Sequence, residues 1–230
     1  MKNKLVLPIV ILGLSVLGCS KIKELASGSK GSSNSDSPAS NSGAPSSGTK
    51  STAGADPKAD IIAASRKFID LPAFSAKMDG SGANEMHYKV EYAAPDKFHI
   101  VYLGGTGAGI EMIIIGKQTY MKTGGNWNKT PVNTGASIPN LRDSFTEEGL
   151  KTLDETKFEG DDTVDGKPAL VYSYKNVTPT GGYPFHSKIW VGKSTGLPMK
   201  IEVNYENGAL KQMTINYDTD SPVTIEPPVK

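Results

Sequence analysis

Few residues of this 230-residue chain have the types and spacing that catalysis or metal binding requires. The three histidines, His87, His99 and His186, are scattered, and the chain has one cysteine, so no spacing typical of a metal site occurs. Serine, histidine and aspartate are all present, but nothing in the sequence places a nucleophile beside a base. We therefore expect a protein that is not an enzyme and that needs no metal ion or cofactor.

Two segments resemble a phosphate-binding loop and a calcium-binding loop in composition, but neither has the full motif. The glycine-rich residues 104–109 lack the Gly-Lys-Ser/Thr ending of a phosphate loop, and a strand rather than a helix follows at Ile110. The acidic residues of 154–162 do not follow the calcium-loop spacing. We interpret the first as a hairpin or gate loop and the second as a solvated strand face. A net charge of +1 without a basic block argues against a nucleic-acid partner.

The beginning of the chain has the features of an export signal. Two lysines precede an uncharged run that ends at Gly18, and as a helix this run spans about 21 Å, less than a bilayer core of roughly 30 Å. We therefore predict a signal peptide over residues 1–18. The sequence Leu17-Gly18-Cys19-Ser20 resembles the lipobox of bacterial lipoproteins. That resemblance implies cleavage before Cys19 and attachment of lipid to its thiol.

A polar, low-complexity segment follows the cysteine. Residues 26–56 are almost entirely Ser, Gly, Ala, Thr, Pro and Asn, which cannot form a buried core, so residues 19–56 are predicted to be a disordered tether. A flexible chain of this length spans about 30 Å. The remaining residues, 57–230, are enough for one globular domain.

The domain is predicted to open with an amphipathic helix over residues 57–70. Asp56 can cap its amino end, and Pro57 suits the first helical position. Apolar residues recur at helical spacing, opposite the basic side chains, so this helix must lie on an apolar surface. Its apolar face consists of Ile61, Ile62, Ser65, Phe68 and Ile69.

After Pro72 the hydrophobic period changes to two, which is typical of an antiparallel meander. About ten strands are predicted, joined by tight turns such as Asn207-Gly208 and Asp165-Gly166. A short helical insertion interrupts them over residues 133–153. The fold class is therefore α+β, a large curled antiparallel sheet with helices on its concave face.

This order of elements resembles the LolA/LolB-like family of bacterial periplasmic lipoprotein carriers and related lipid-binding lipoproteins. The motifs that carry the resemblance are the turn Thr195-Gly196-Leu197-Pro198 within residues 187–201, and Pro95-Asp96-Lys97-Phe98 followed by the hairpin at residues 115–120. The resemblance implies an incomplete β-barrel whose concave face takes up acyl chains beneath a helical lid. Neither arginine of the chain, Arg66 or Arg142, matches the one that holds the lid in some soluble carriers.

A sheet too wide to close tightly leaves an apolar trough on its inner side. Strand alternation places methionine, tyrosine and aliphatic side chains there, which suit a flexible chain with a polar head. The lid is predicted to present Ile61, Ile62, Phe68 and Ile69. The predicted ligand-binding residues are Met86, Tyr88, Val90, Tyr92, Ile110, Met112, Ile114, Leu170, Tyr172, Tyr174, Met199, Ile201, Val203, Tyr205, Met213, Ile215 and Tyr217.

These features favour a monomeric, membrane-tethered protein that binds or transfers lipids or lipoprotein acyl chains in the bacterial cell envelope. Its anchor at Cys19 would lie on the periplasmic side of the outer membrane or the extracytoplasmic face of the cell membrane. Another envelope lipoprotein is a candidate partner. The alternatives are a protein-interaction or envelope-stress sensing module with a filled core, and a purely structural surface lipoprotein. An elongated apolar tunnel would favour lipid binding over the filled module.

Overall fold

A computed structural model of the chain describes residues 54–83, 85–105, 107–130, 145–177 and 184–229. The predicted signal peptide, Cys19 and nearly all of the predicted tether lie outside these residues, as does the first part of the predicted helical insertion. Within the described ranges, no helix has both the length and the apolar character needed to cross a membrane.

Within these ranges, eleven antiparallel strands form one sheet that does not close on itself, with β6 (Asn126–Thr130) at one edge and β7 (Asp154–Val164) at the other. Apart from β6 and β7, strands adjacent in sequence pair with each other, and the first and last strands, β1 (Ala73–Gly82) and β11 (Leu210–Asp218), pair in the middle. The predicted α+β fold is confirmed. The strands are β1 Ala73–Gly82, β2 Met86–Ala93, β3 Lys97–Gly105, β4 Glu111–Ile115, β5 Gln118–Thr123, β6 Asn126–Thr130, β7 Asp154–Val164, β8 Lys167–Val177, β9 Pro184–Gly192, β10 Pro198–Tyr205 and β11 Leu210–Asp218.

The opening helix, α1, comprises Pro57–Ile69. As predicted, Asp56 caps it, and the carboxylate accepts a hydrogen bond of 3.0 Å from the backbone N–H of Ala59. Ala64 is buried together with Ile61 and Phe68, because it lies between them on the same side of the helix.

Gly54, which precedes the predicted domain boundary at residue 57, is packed against the domain. The backbone N–H of Gly54 donates a 2.9 Å hydrogen bond to Oδ2 of Asp60 in α1. Gly54 has a φ of +87°, and a Cβ at this position would lie 2.7 Å from the ring of Phe158, so the close approach requires glycine.

A second, short helix, α2 Glu147–Lys151, belongs to the predicted helical insertion. The Thr146 hydroxyl caps it by accepting from the backbone N–H of Gly149. At its other end the Thr152 hydroxyl donates to the side-chain oxygen of Asn176, which lies in β8. A hydrogen bond to β8 therefore ties the carboxyl end of α2 to the sheet.

One continuous apolar core joins both helices to a single face of the sheet. We call this face the interior face and its buried residues the interior cluster. Alternation along the strands explains the pattern, since every second residue of β1, β2, β8 and β10 points to the helices. The interior cluster consists of Ile61, Ala64, Phe68, Phe74, Ala76, Met78, Tyr88, Val90, Tyr92, Ile100, Ile114, Phe145, Leu150, Leu153, Tyr172, Tyr174, Phe185, Ile189, Val191, Ile201, Val203 and Ile215.

The opposite, outer face carries two smaller apolar clusters. In the first, Trp190 packs with neighbouring side chains of β7 and β8. In the second, Tyr120 and Ile113 are covered by Ile225 from the segment that follows β11. Lys97 fixes this segment, because its Nζ donates a 3.4 Å hydrogen bond to the carbonyl of Ile225. This C-terminal cover was not predicted from the sequence.

Candidate functional site

Aromatic rings fill the interior face beneath α1. The ring centroid of Phe68 lies 4.7 Å from that of Phe74, 4.9 Å from that of Phe145 and 4.9 Å from that of Tyr217. These tilted and edge-on contacts join α1, β1 and β11 with Phe145, which lies two residues before α2. The four rings therefore connect the helix α1 directly to the sheet.

The apolar surface continues beyond the area that the two short helices cover. Its margin contains three methionines, Met86, Met112 and Met213, which are partly exposed and pack against the interior cluster. Gly80 of β1 pairs with Met86 on one neighbouring strand and with Met213 on the other. The two flexible methionine side chains therefore flank a glycine, which has no side chain. Methionine adapts readily to irregular apolar partners.

Several tyrosine hydroxyls contribute polar groups to the interior face. The Tyr172 hydroxyl donates to Oδ2 of Asp60 at 2.9 Å, and the Tyr92 hydroxyl donates to the carbonyl of Pro95 at 3.2 Å. The hydroxyl of Tyr217 is buried and has no hydrogen-bond partner among the described residues. Burial raises the pKa of Tyr174 to about 12, so these phenols stay neutral at physiological pH.

Most of the predicted ligand-binding residues lie together on the interior face. Ile110 is an exception, since it precedes β4 and is 36% exposed. Met199 is the other, because it packs with Trp190 on the outer face. The residues on the interior face are Met86, Tyr88, Val90, Tyr92, Met112, Ile114, Leu170, Tyr172, Tyr174, Ile201, Val203, Tyr205, Met213, Ile215 and Tyr217, together with the helical residues Ile61, Ile62, Phe68 and Ile69.

A register shift explains the position of Met199. Between Pro198 and Lys200 the pairing of β10 with β9 slips by one residue, so strict alternation from Ile201 back to Met199 fails. Lys200 lies over the ring of Trp190 with its Nζ 4.5 Å from the centroid, on the same outer face. The expectation that Met199 faces the interior is therefore wrong.

The predicted ligand-binding set omitted the interior residues of three strands, β1, β3 and β9. Phe74, Ala76 and Met78 of β1 alternate inward, and so do Ile100 of β3 and Ile189 of β9. Their alternation was present in the sequence and could have identified them. Nothing in the periodicity of the residues indicated which hydroxyls would lack partners.

Polar contacts fasten α1 over the interior face. Lys58 donates from Nζ to the carbonyl of Leu153 at 2.9 Å, and Lys67 donates to the carbonyl of Thr195 at 2.7 Å. Arg66 pairs with Glu147 of α2 at 3.0 Å, but both side chains are 62% exposed, so this ion pair contributes little. The helix is held mainly by its buried apolar residues.

The outer face of β2 to β5 carries a ladder of hydrogen-bonded histidine, glutamate and lysine side chains. His99 contacts Glu91 at 2.8 Å and Glu111 at 3.0 Å, and Lys122 contacts Glu111 at 2.8 Å. Hydrogen bonding from Lys122 lowers the pKa of Glu111, aided by His99 and opposed by burial. Burial raises the pKa of Glu91, but hydrogen bonds from Lys89 and His99 outweigh it and the net shift is downward.

These lowered carboxylate pKa values predict acid sensitivity of the ladder. The folded protein binds fewer protons than the unfolded chain, so the contribution is present above the ordinary pKa of 4.5 and is lost as pH falls through the folded pKa. We expect Glu111→Gln to be less stable than wild type at neutral pH, by urea denaturation, with the difference vanishing in acid. The exposed Glu147→Gln is the control. A pH-independent difference would contradict this assignment.

No group of three or more His, Cys, Asp or Glu among the described residues is arranged to hold a metal ion. The string from Gly192 to Gly196 has the Gly-x-Ser-x-Gly spacing of a nucleophile turn, but it connects β9 to β10 rather than a strand to a helix. Its Ser194 is exposed.

The chain matches no protein-family model. It also matches no curated protein sequence. Solved structures do match. The lipoprotein LppX of Mycobacterium tuberculosis is 11% identical, with a TM-score of 0.56 over 74% of this chain and 98% of that one. LprF of Mycobacterium bovis is 13% identical, with a TM-score of 0.57 over 76% of this chain and 97% of that one.

A weaker match is a LolA superfamily protein of Nitrosomonas europaea, 9% identical with a TM-score of 0.28 over 70% of this chain and 90% of that one. The two stronger matches span almost the whole of each neighbour, so they relate entire domains rather than a shared motif. The predicted resemblance is thus confirmed at the level of fold, and this chain has the open half-barrel fold found in LppX and LprF.

Proposed function

We propose that this protein is a non-enzymatic lipid-binding protein of the bacterial cell envelope, which takes up acyl chains on its interior face. The observation that carries the proposal is that this apolar face extends past both helices to a margin of partly exposed methionine and aromatic side chains. An acyl chain laid along it would bury its methylenes at about 0.8 kcal/mol each. No specific polar contact is needed for such binding.

The proposal includes a location. Cleavage before Cys19 and acylation of its thiol would place the domain outside the cytoplasmic membrane on a flexible tether. Similarity of fold to LppX, which is named a lipoprotein, agrees with this anchoring. Transfer of the bound chain to or from another envelope lipoprotein is part of the same proposal, as is a monomeric state.

Two experiments test the proposal. Protein purified from its own membrane should carry lipid detectable by native mass spectrometry, and the delipidated domain should take up a fluorescent fatty acyl probe. Met213→Asp, at the interior margin, should weaken uptake at least about tenfold, because a carboxylate would have to be desolvated by the ligand. Met199→Asp places the same charge on the outer face and should leave uptake unchanged.

Unfolding curves of both variants establish that each is folded before uptake is compared. A wild-type protein that carries no lipid and ignores the probe would contradict lipid binding. Equal uptake by wild type and a folded Met213→Asp variant would show that the interior face is not the site. In the first case the filled interaction module becomes the better interpretation.

A further inference from the structure

The methionines of this chain differ in exposure and in the face of the sheet that they occupy. Met78 of β1 is 1% exposed and belongs to the interior cluster. Met199 is partly exposed and packs with Trp190 on the outer face. Met121 of β5 is partly exposed, like the three methionines already placed at the margin of the interior face. We call these four the margin methionines: Met86, Met112, Met121 and Met213.

Strand pairing groups the margin methionines into two pairs on the interior side of the sheet. Met112 of β4 lies directly opposite Met121 of β5, and residues directly opposite on neighbouring strands share a face. Met86 and Met213 lie on either side of Gly80. A Cβ on Gly80 would lie 2.8 Å from Cγ of Met86, so the Met86 side chain occupies the space that the glycine leaves. The thioethers are therefore grouped on one face rather than scattered.

Partial exposure allows these thioethers a reaction from which burial protects Met78. The sulfur lone pair attacks one oxygen of a peroxide such as hydrogen peroxide, and the O–O bond breaks as the S–O bond forms. The proton on the transferred oxygen passes to the departing hydroxide, which leaves as water. The sulfur is oxidised by two electrons and the peroxide is reduced. The product, methionine sulfoxide, is a polar side chain in place of an apolar one.

Oxidation at these positions changes the surface on which an acyl chain would lie. The sulfoxide oxygen is hydrogen-bonded by water, and an acyl chain that covers it removes this water without replacing its hydrogen bonds. Each sulfoxide at the margin therefore opposes acyl-chain binding. A leucine would provide similar apolar area, but it has no sulfur and could not respond to an oxidant.

We propose that the margin methionines are an oxidation-sensitive switch, in which a peroxide converts them to sulfoxides and thereby lowers the affinity of the interior face for acyl chains. This inference rests on the proposed function and adds a means of regulation to it. The switch is reversible by a methionine sulfoxide reductase with a dithiol as reductant. The dithiol supplies two electrons and becomes a disulfide, and the sulfoxide oxygen leaves as water.

The test treats the delipidated protein with hydrogen peroxide and follows each methionine by peptide mass spectrometry. The margin methionines should form sulfoxide at least about tenfold faster than Met78, because oxidation follows exposure. Uptake of a fluorescent fatty acyl probe should weaken at least about fivefold, the effect of desolvating one polar group. Methionine sulfoxide reductases with dithiothreitol should then restore uptake.

A variant with leucine at all four margin positions identifies the sulfurs that are responsible. It carries Met86→Leu, Met112→Leu, Met121→Leu and Met213→Leu, which conserve apolar volume. Each protein is compared with itself before treatment, and peroxide should change the uptake of this variant by less than about twofold. Met199→Leu is the matched control, because it removes a partly exposed thioether from the outer face and should stay as sensitive as wild type.

Unchanged uptake by wild type with fully oxidised margin methionines would overturn the inference and leave the proposed function intact. Equal oxidation rates at Met78 and the margin methionines would also overturn it, as would an equal loss of uptake in the leucine variant. If that variant does not fold, the reductase step decides, since a loss that persists after the sulfoxides are reduced overturns the inference. Failure of untreated wild type to take up the probe would instead contradict the proposed function, and the regulation would fail with it.

Discussion

Replacing Phe68 with alanine should lower the free energy of unfolding by about 3–5 kcal/mol. Phe68 is 0% exposed, and its ring contacts three other aromatic rings, from β1, from β11 and from Phe145, which lies two residues before α2. The substitution removes the buried area and leaves a cavity that the rigid neighbours cannot fill. Urea denaturation measures the loss, which is a large part of the 5–15 kcal/mol typical of a domain.

Leu103→Ala is the control for the Phe68 substitution. Leu103 is a large apolar residue that is 54% exposed, so its truncation should change the free energy of unfolding by less than about 0.5 kcal/mol. If Phe68→Ala cost as little as Leu103→Ala, α1 would not be packed on the sheet as described, and its role as a cover for the interior face would be wrong.

Replacing Asp60 with alanine should cost about 1.5–3 kcal/mol, the range for hydrogen bonds to a charged group. Oδ2 of Asp60 accepts from the Tyr172 hydroxyl and from the backbone N–H of Gly54, each at 2.9 Å. Tyr172 is 1% exposed, so its hydroxyl would lose its partner without access to water. Burial and the neighbouring Asp60 carboxylate both raise the pKa of Tyr172.

Two matched variants separate this hydrogen bond from other effects of the substitution. Asp60→Asn keeps an acceptor oxygen and should lose less stability than Asp60→Ala. In a Tyr172→Phe background the cost of Asp60→Ala should shrink, because the partner hydroxyl is already absent, and the double-mutant cycle measures the coupling. An unchanged cost in that background would show that the Tyr172 hydrogen bond contributes nothing to stability.

Periodicity predicted the helix, most strands and the composition of the interior face because each of these depends on local spacing. Asp56 and Pro57 marked the start of α1, and alternation around Tyr88 and Ile201 predicted their direction. The prediction for Met199 was wrong because the register shift between Pro198 and Lys200 turns its side chain to the other face of the sheet. Such a shift leaves no signal in the local sequence.

Other features were not predictable because they depend on contacts between distant parts of the chain. The strand β6 is short, and its Trp127 packs against the cluster that contains Ile225 of the C-terminal segment. Ile225 is far from Trp127 in the sequence, and the residues around it show no alternation of apolar and polar side chains. Likewise, the orphaned state of the Tyr217 hydroxyl depends on which groups surround it after folding. Sequence spacing contains no information on such pairing.

The pairing of β1 with β11 also has a consequence for the order in which this protein can assemble. Each of the two meanders, β1 to β6 and β7 to β11, can form from hairpins between adjacent strands, but the seam between them joins Ser75 to Asp218. Closing so large a loop is entropically slow. A nascent chain that stops short of Leu210 would therefore expose the edges of β1 and β10 in addition to those of β6 and β7, and unpaired strand edges are templates for aggregation during synthesis.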